Sequence, residues 1–479
     1  MEVYKVIMDY DVLILGGGIV GCAVAYELSK YNLNIALIEK GYDVADDIAV
    51  VNTAIVYDGS ETSNAVMAEL ENIGSTLIKE ACEKFNVPYK KIGYVRIATT
   101  EEQSLKVEEM YLAAQKRGIK GVKLVDNEGI KDIEPNLEVD IKKALYSKNT
   151  AIIAPYDLSI AYAEVAADNG VNFRLEEEVI SIKKINKGFD VVTNKNRFKC
   201  RVVINTIPDE FYVENNKTCD NELESIEAEY TIPKKMNYFL MEGKLKCKLK
   251  RVVVNVIDEQ TFVMNSPMIN GGTMLGVKNT NVLSIDEGVK FSKHITPNIY
   301  KEKISEMIRE SYKRDEMVID NSDIENGYIR VTGKHYGKMT IAPAIAQSIR
   351  EAIVNLMNSS SKKNFIDKRR EFYRFRDLDR EEINEIIKLD KRYGNIICNC
   401  NNVSEGEIVD CIRRPLGART VEGVKKRTGA GYGDCHGSYC IRKIMKILAR
   451  EMDKSPIEIV RNSKNSKIVS GRIKEFDEV

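Results

Sequence analysis

The fold turns on residues 10–30, YDVLILGGGIVGCAVAYELSK, followed at 34–40 by NIALIEK. Residues 10–15 are a short apolar run, and glycines stand at 16, 17, 18 and 21. An amphipathic helical pattern then reaches about Lys30, and a second strand ends in Glu39. This reads as a strand–turn–helix–strand unit. In Gly16-x-Gly18-x-x-Gly21 each glycine has a mechanical task. The first permits a tight turn, the second lets backbone approach a pyrophosphate, and the third lets the helix pack closely on the strand. The helix N-terminus offers N–H groups to phosphates, and Glu39 is placed to accept from a ribose hydroxyl. The motif predicts a dinucleotide site without choosing between FAD and NAD.

A chain of 479 residues exceeds what a single core usually serves, so two or more domains are expected. Lys+Arg and Asp+Glu both number 72, which gives no bulk attraction to nucleic acid or anionic lipid. No stretch approaches the roughly 18–20 apolar residues of a membrane helix. The opening MEVYKVIMDYDVLIL carries Glu2, Asp9 and Asp11 and reads as the approach to a strand, not a signal peptide. The ten cysteines are therefore expected to be reduced thiols in a cytoplasmic chain.

Along the chain, helices are predicted near 63–86, with Leu70, Ile73 and Leu77 on one face, near 101–117, and from Asp157 to Asn169. A β-meander ends in a buried strand at 201–207. Residues 220–330 are mixed, and 341–357 form a helix. NSSSKKN at 358–364 marks a boundary, and a charged helical connector is predicted over 366–390.

The second constellation is Cys398-x-Cys400, 34 residues, then Cys435-x4-Cys440. Four soft thiolates select an iron–sulfur cluster or zinc. Ser404 with Glu407 predicts a capped helix start, and Thr420 begins the next helix. Gly429, Gly431 and Gly433 unwind the chain before Cys435. The C-x-C pair leans towards [2Fe–2S], since structural zinc sites prefer wider pairs. Cys411 is predicted to pack inside a helix and His436 to face solvent. Cys22, Cys82, Cys200, Cys219 and Cys247 are read as incidental thiols.

The glycine unit, with AIIAPYDLSIAYAEVAADNGV at 151–171, YTIPKKMNYFLME at 230–242 and GYIRVTGKHYGKMTIAPAIAQSI at 327–349, resembles FAD-dependent oxidoreductases of the D-amino-acid-oxidase and glycerol-3-phosphate-dehydrogenase superfamily. The resemblance implies FAD. It places Asn52 and Thr53, Val179, and Gly333, Lys338, Met339 and Thr340 at the cofactor. The helix that follows Lys338 would stabilise negative charge on the reduced ring. Residues 393–414 and 420–440 resemble the [2Fe–2S] domain of the bacterioferritin-associated ferredoxin type, which implies Cys398, Cys400, Cys435 and Cys440 as cluster ligands.

These resemblances imply an α/β fold with three parts. A Rossmann-like FAD-binding domain takes in about 1–85, 150–215 and 325–357, and an interleaved α+β substrate domain about 86–149 and 216–324. After a linker at 358–394 comes a small helical cluster domain at 395–452, then a polar tail at 453–479. The sequence departs from the family at NTAIVYDG (52–59), NTIP (205–208) and HYGKMT (335–340), where flavin face and substrate meet.

A flavin takes two electrons at once and a [2Fe–2S] cluster carries one. The pair predicts a dehydrogenase for a small hydroxy or amino substrate, of the glycerol 3-phosphate or 2-hydroxy acid class. Its electrons would go to a redox partner protein or subunit. Arg330, Lys334, His335 and Lys338 supply cations for an anionic substrate, and His335 or Tyr57 a base or orienting group. The departures also motivate a rival, a non-catalytic FAD/[2Fe–2S] relay subunit in a larger complex.

Overall fold

The architecture comes from a computed structural model that describes residues 8–45, 54–207, 234–241, 248–258, 260–269, 271–312, 316–433 and 435–471. Asn52, Thr53, Cys219 and Cys247 lie outside the described residues. The elements that build the first layer are β1 (Tyr10–Leu15), α1 (Ile19–Ser29), β2 (Ile35–Ile38), α2 (Ala65–Lys84), α3 (Pro155–Asp168), β3 (Asn172–Arg174), β4 (Arg197–Asn205), β5 (Tyr328–Lys334) and α4 (Lys338–Met357).

Five strands run parallel in the order β3-β2-β1-β4-β5, with Val12 opposite Ile35 and Val202, Ala36 opposite Asn172, and Val203 opposite Tyr328. This is the doubly wound order, in which ligands bind beyond the carboxyl ends of the strands. Val12, Leu13, Ile14 and Leu15 are all fully buried, as a central parallel strand covered on both faces requires. Residues 179–193 extend the sheet as an antiparallel hairpin on the first half of β4.

Two helices differ from their predicted faces. Every residue of α1 is buried, so it is not amphipathic: the sheet covers one side, and α3 and α4 the other. On α2 the buried set is Met67, Ala68, Glu71, Gly74, Ile78, Ala81 and Cys82, while Ile73 is 42% exposed. The cause is Gly74, which brings α2 against α4. A Cβ there would stand 1.8 Å from the Thr340 carbonyl oxygen.

A second, eight-stranded sheet takes strands from two distant parts of the chain. Tyr94–Ala98, Val122–Val125 and Lys143–Ser147 join Lys234–Met241, Val252–Val256, Phe262–Pro267, Thr273–Asn279 and Ile304–Tyr312. All pairings are antiparallel except Val252–Val256 on Tyr94–Ala98. A three-stranded sheet of Ile55–Val56, Ala151–Ile153 and Tyr89–Lys91 forms a smaller separate unit.

The connector is less helical than its sequence predicts. Only α5 (Arg380–Leu389) forms, and residues 366–374 run without helix. Their arginines are committed sideways to acids on α3. Arg369 pairs with Asp157 (2.7 Å) and Glu164 (2.6 Å), Arg370 with Asp168 (2.6 Å), and Arg374 with Asp157 (2.5 Å). Beyond it, α6 (Glu405–Arg413), α7 (Val421–Thr428) and α8 (Ile441–Glu451) close a small core of Val403, Ile408, Ile412, Val424, Ile444 and Leu448. The capping box at Ser404 forms: its hydroxyl accepts from the Glu407 N–H (3.3 Å), and the Glu407 carboxylate accepts from the Ser404 N–H (2.7 Å). Thr420 likewise caps α7 through the Gly423 N–H (3.0 Å).

Candidate functional site

At the carboxyl end of β1 the chain turns through Gly16, whose φ of +95° favours glycine. Gly21 cannot carry a side chain, because a Cβ would stand 2.0 Å from the Gly16 carbonyl oxygen. Gly18 is the N-cap of α1; no side chain caps it, and the first turn holds no acid. The Glu39 carboxylate is fixed by the N–H groups of Gly17 and Gly41, both at 2.7 Å. An uncapped helix start and an oriented carboxylate at the next strand end fit an anionic dinucleotide. Val179 begins the hairpin and is buried beside Leu13, Leu15 and Ile38.

The closing segment meets the other side of this domain. Gly333 has φ +85°, and α4 begins at Lys338 after Gly337. Met339 and Thr340 are buried. The Thr340 hydroxyl is used internally: it donates to the Ile55 carbonyl (3.3 Å) and accepts from the Tyr57 N–H (3.2 Å). His335, 4% exposed, accepts the Gly337 N–H at Nδ1 (3.0 Å), so a neutral ring carries its proton on Nε2. Its ring stacks on Tyr336 at 4.3 Å, and Tyr336 meets Tyr57 edge-on at 4.9 Å. His335 and Tyr57 are thus brought into one group. Arg330, on β5, pairs with Asp320 at 3.6 Å.

Four members of this group escaped the sequence reading. Tyr336 and Tyr94 both hydrogen-bond Glu61, the latter at 3.2 Å. Burial holds both phenols well above the usual tyrosine range, so they act as donors. The fully buried Glu71 carboxylate lies beside Gly337, its Oε1 2.6 Å from where a Cβ would be. Only the fold gathers them, because they lie on four separate stretches of chain. Residues 58–63 are fixed as a loop: Asp58 accepts from Ser60 and Ser147, and Arg117 donates to the Thr62 carbonyl (2.9 Å).

In the C-terminal module Cys440 is the N-cap of α8, and Cys398 ends the strand Ile396–Cys398. Cys400 Sγ lies 3.5 Å from Cys435 Sγ, and Cys440 is within hydrogen-bonding reach of Cys398. Two thiolates on one tetrahedral metal with bonds of about 2.3 Å stand about 3.7 Å apart, so the Cys400–Cys435 contact has the spacing of a shared metal. Among the described residues no group of three or more His, Cys, Asp or Glu side chains is gathered to hold a single ion. The hydrogen bond from Cys400, with N–H groups of Gly437, Tyr439 and Ser438, holds the Cys435 thiol below its usual range. A Cβ on Gly433 would strike the Cys400 Cβ at 2.2 Å. Cys411 sits inside α6, donates to the Ile408 carbonyl, and has its thiol pushed up by burial. Serine at Cys398, Cys400, Cys435 or Cys440 is expected to abolish most bound iron, whereas Cys411→Ser keeps it; iron and sulfide analysis of the purified variants checks this.

Buried ion pairs clamp this module to the first layer. Arg427 of α7 grips Asp43 at 2.5 and 2.7 Å, both side chains 4% exposed, and the Ala45 N–H next along bonds the Gly17 carbonyl (2.8 Å). Arg414 reaches Glu164 (2.8 Å), which Arg369 also holds. Burial alone would raise the Glu164 carboxyl, but Arg369 and Arg414 bring it below the usual range. A depressed folded pKa contributes stability above the ordinary glutamate value of ~4.3, lost as pH falls through the folded value. Protease cleavage within 366–374 is therefore expected to rise as pH falls below the ordinary glutamate range; proteolysis across pH with an acid-stable protease measures it.

A doubly wound dinucleotide fold joined to a module with two cysteine pairs defines a nucleotide-cofactor protein with an appended metal-binding module. Residues 11–209 match the model of the FAD dependent oxidoreductase family, and residues 396–450 that of the BFD-like [2Fe-2S] binding domain. A glycerol 3-phosphate dehydrogenase of Caloramator mitchellensis is 32% identical over 97% of this chain and 99% of its own. An L-2-hydroxyglutarate dehydrogenase of Caenorhabditis briggsae is 36% identical over 30% of this chain and 33% of its own. The solved FAD-bound L-alpha-glycerophosphate oxidase of Mycoplasma pneumoniae superposes with a TM-score of 0.63 at 21% identity, covering 76% of this chain and 99% of that one. The chain belongs to the FAD-dependent oxidoreductase family of that glycerol 3-phosphate dehydrogenase, and it carries a [2Fe–2S] domain. It is an oxidoreductase whose cofactors are FAD and a [2Fe–2S] cluster. Among the described residues no helix is long and apolar enough to cross a membrane.

Proposed function

We propose that this enzyme dehydrogenates a small anionic alcohol, of the glycerol 3-phosphate or 2-hydroxy acid class, and sends the electrons singly through the cluster to a redox partner. The observation that carries the reading is the Arg427–Asp43 clamp, which ties the cysteine module to the loop beyond Glu39 and Gly17. Bound FAD supplies two-electron oxidation of a substrate carbon, and a bound [2Fe–2S] cluster relays electrons one at a time. Gly16, Gly18 and Gly21 would hold the pyrophosphate and Glu39 the ribose. Asn52, Thr53, Val179, Gly333, Lys338, Met339 and Thr340 complete the FAD site, with Cys398, Cys400, Cys435 and Cys440 as cluster ligands.

At the substrate, His335 acts as an N–H donor through Nε2, since Nδ1 is occupied by Gly337. It therefore orients the hydroxyl, with Tyr57 beside it and Lys338 and Arg330 supplying positive charge. His335→Ala is expected to lower kcat/KM about ten- to a hundredfold, the worth of a buried hydrogen bond to a polar or charged group; steady-state kinetics with a dye acceptor measure this. The reading is tested by anaerobic bleaching of the flavin with glycerol 3-phosphate, 2-hydroxy acids and amino acids. Bleaching by one of the first two classes supports it. Bleaching by none, in a protein that a chemical reductant does bleach, would replace it with a non-catalytic relay.

A further inference from the structure

The cluster module is basic and has one exposed thiol, Cys400. Between residues 396 and 450 there are ten Lys or Arg against five Asp or Glu, in a chain with 72 of each. Arg414 and Arg427 are spent in the clamp, and Arg413, Lys425 and Arg450 in ion pairs within the module. Arg442, Lys443 and Lys446 are not: all three are exposed on α8 and make no ion pair among the described residues. The helix that carries them starts at Cys440, and its first turn holds no acid. Immediately before it stands Tyr439, 78% exposed. The sulfurs are unequal too, since Cys398 and Cys440 are buried, Cys400 is exposed and Cys435 is half-buried.

We propose that the Cys400/Cys435 edge is the electron exit, and that Tyr439 with Arg442, Lys443 and Lys446 forms the docking surface for an acidic one-electron carrier protein. This rests on the reading above that electrons leave through the cluster. The buried clamp keeps the module from swinging out to deliver them, so the carrier must come to the solvent-facing sulfurs. Complementary charge steers such encounters and sets which partner is accepted, and an exposed tyrosine one turn before a run of exposed cations suits a small interface. The balance is simple. Each alcohol oxidised to a ketone gives up two electrons and two protons; two carriers take one electron each, and the protons go to solvent. An anionic lipid surface would also attract the cations, but its headgroups offer no redox centre at the thiol edge.

The test uses the full chain with both cofactors, reduced by dithionite and desalted, so that it does not depend on the substrate. Reduction of an acidic b-type cytochrome and of basic cytochrome c is followed by stopped flow as salt is raised. The acidic cytochrome's rate is expected to fall about tenfold or more over a range that shortens the Debye length from about 30 to 8 Å, while that of cytochrome c does not fall. Arg442→Glu/Lys443→Glu/Lys446→Glu should slow the acidic cytochrome about tenfold relative to cytochrome c, and carbodiimide should cross-link the acidic cytochrome to Lys443 or Lys446. Equal salt dependence for both cytochromes overturns the proposal. So does a variant that shifts only the cluster midpoint potential, or that loses only sedimentation with phosphatidylglycerol vesicles. If the docking result holds while no substrate reduces the cluster, the dehydrogenase reading alone has failed.

Discussion

Gly74→Ala is expected to yield protein largely without flavin, with an unfolding free energy lowered by more than about 3 kcal/mol, beyond ordinary overpacking. The added methyl would stand 1.8 Å from the Thr340 carbonyl oxygen, which is backbone and cannot swing away. The helices α2 and α4 must therefore part just where α4 begins. The same displacement pulls Thr340 from Ile55 and Tyr57, and it moves Glu71 relative to His335 and Gly337. Thr76→Ala, on the exposed side of the same helix, is the control and should change neither quantity. Denaturant unfolding and the flavin-to-protein ratio of the purified variants measure both effects.

Arg427→Ala should cost about 3–5 kcal/mol, because it leaves the Asp43 carboxylate buried without its partner. Arg427 also donates to the carbonyls of Gly423 and Leu416, so a lysine, lacking the fork, rescues it only in part. Replacing both partners by leucine removes the stranded charge and should recover much of the loss. Flavin and cluster absorbance followed together during unfolding give the signature. The wild-type chain loses both in one transition, whereas Arg427→Ala loses the cluster module first.

Much of this was legible in the sequence because its chemistry is local. Gly16, Gly18 and Gly21 act within one turn, Ser404 and Glu407 cap one helix start, and the cysteine pairs lie on either side of unwound glycines. The clamp was not legible, since Asp43 and Arg427 are 384 residues apart and no periodicity links them. The connector misled for a related reason. Its charge pattern suits an exposed helix, yet Arg369 and Arg374 spend their charge on acids of α3. Gly74 and Glu71 read as ordinary helix residues and reveal their role only against the start of α4. The departures at 335–340 proved partly structural, with His335, Tyr336 and Thr340 bonded or stacked to neighbours in the fold.

The central claim is that electrons entering at the flavin leave through the cluster of the same chain. Its most direct test is an anaerobic single turnover with the substrate that bleaches the flavin, read at once by visible absorbance and by electron paramagnetic resonance. The reduced-cluster signal is expected to appear as the flavin bleaches, in proportion to substrate added. A fully bleached flavin beside a cluster that stays oxidised, or a cysteine module that holds zinc and no iron, would contradict it.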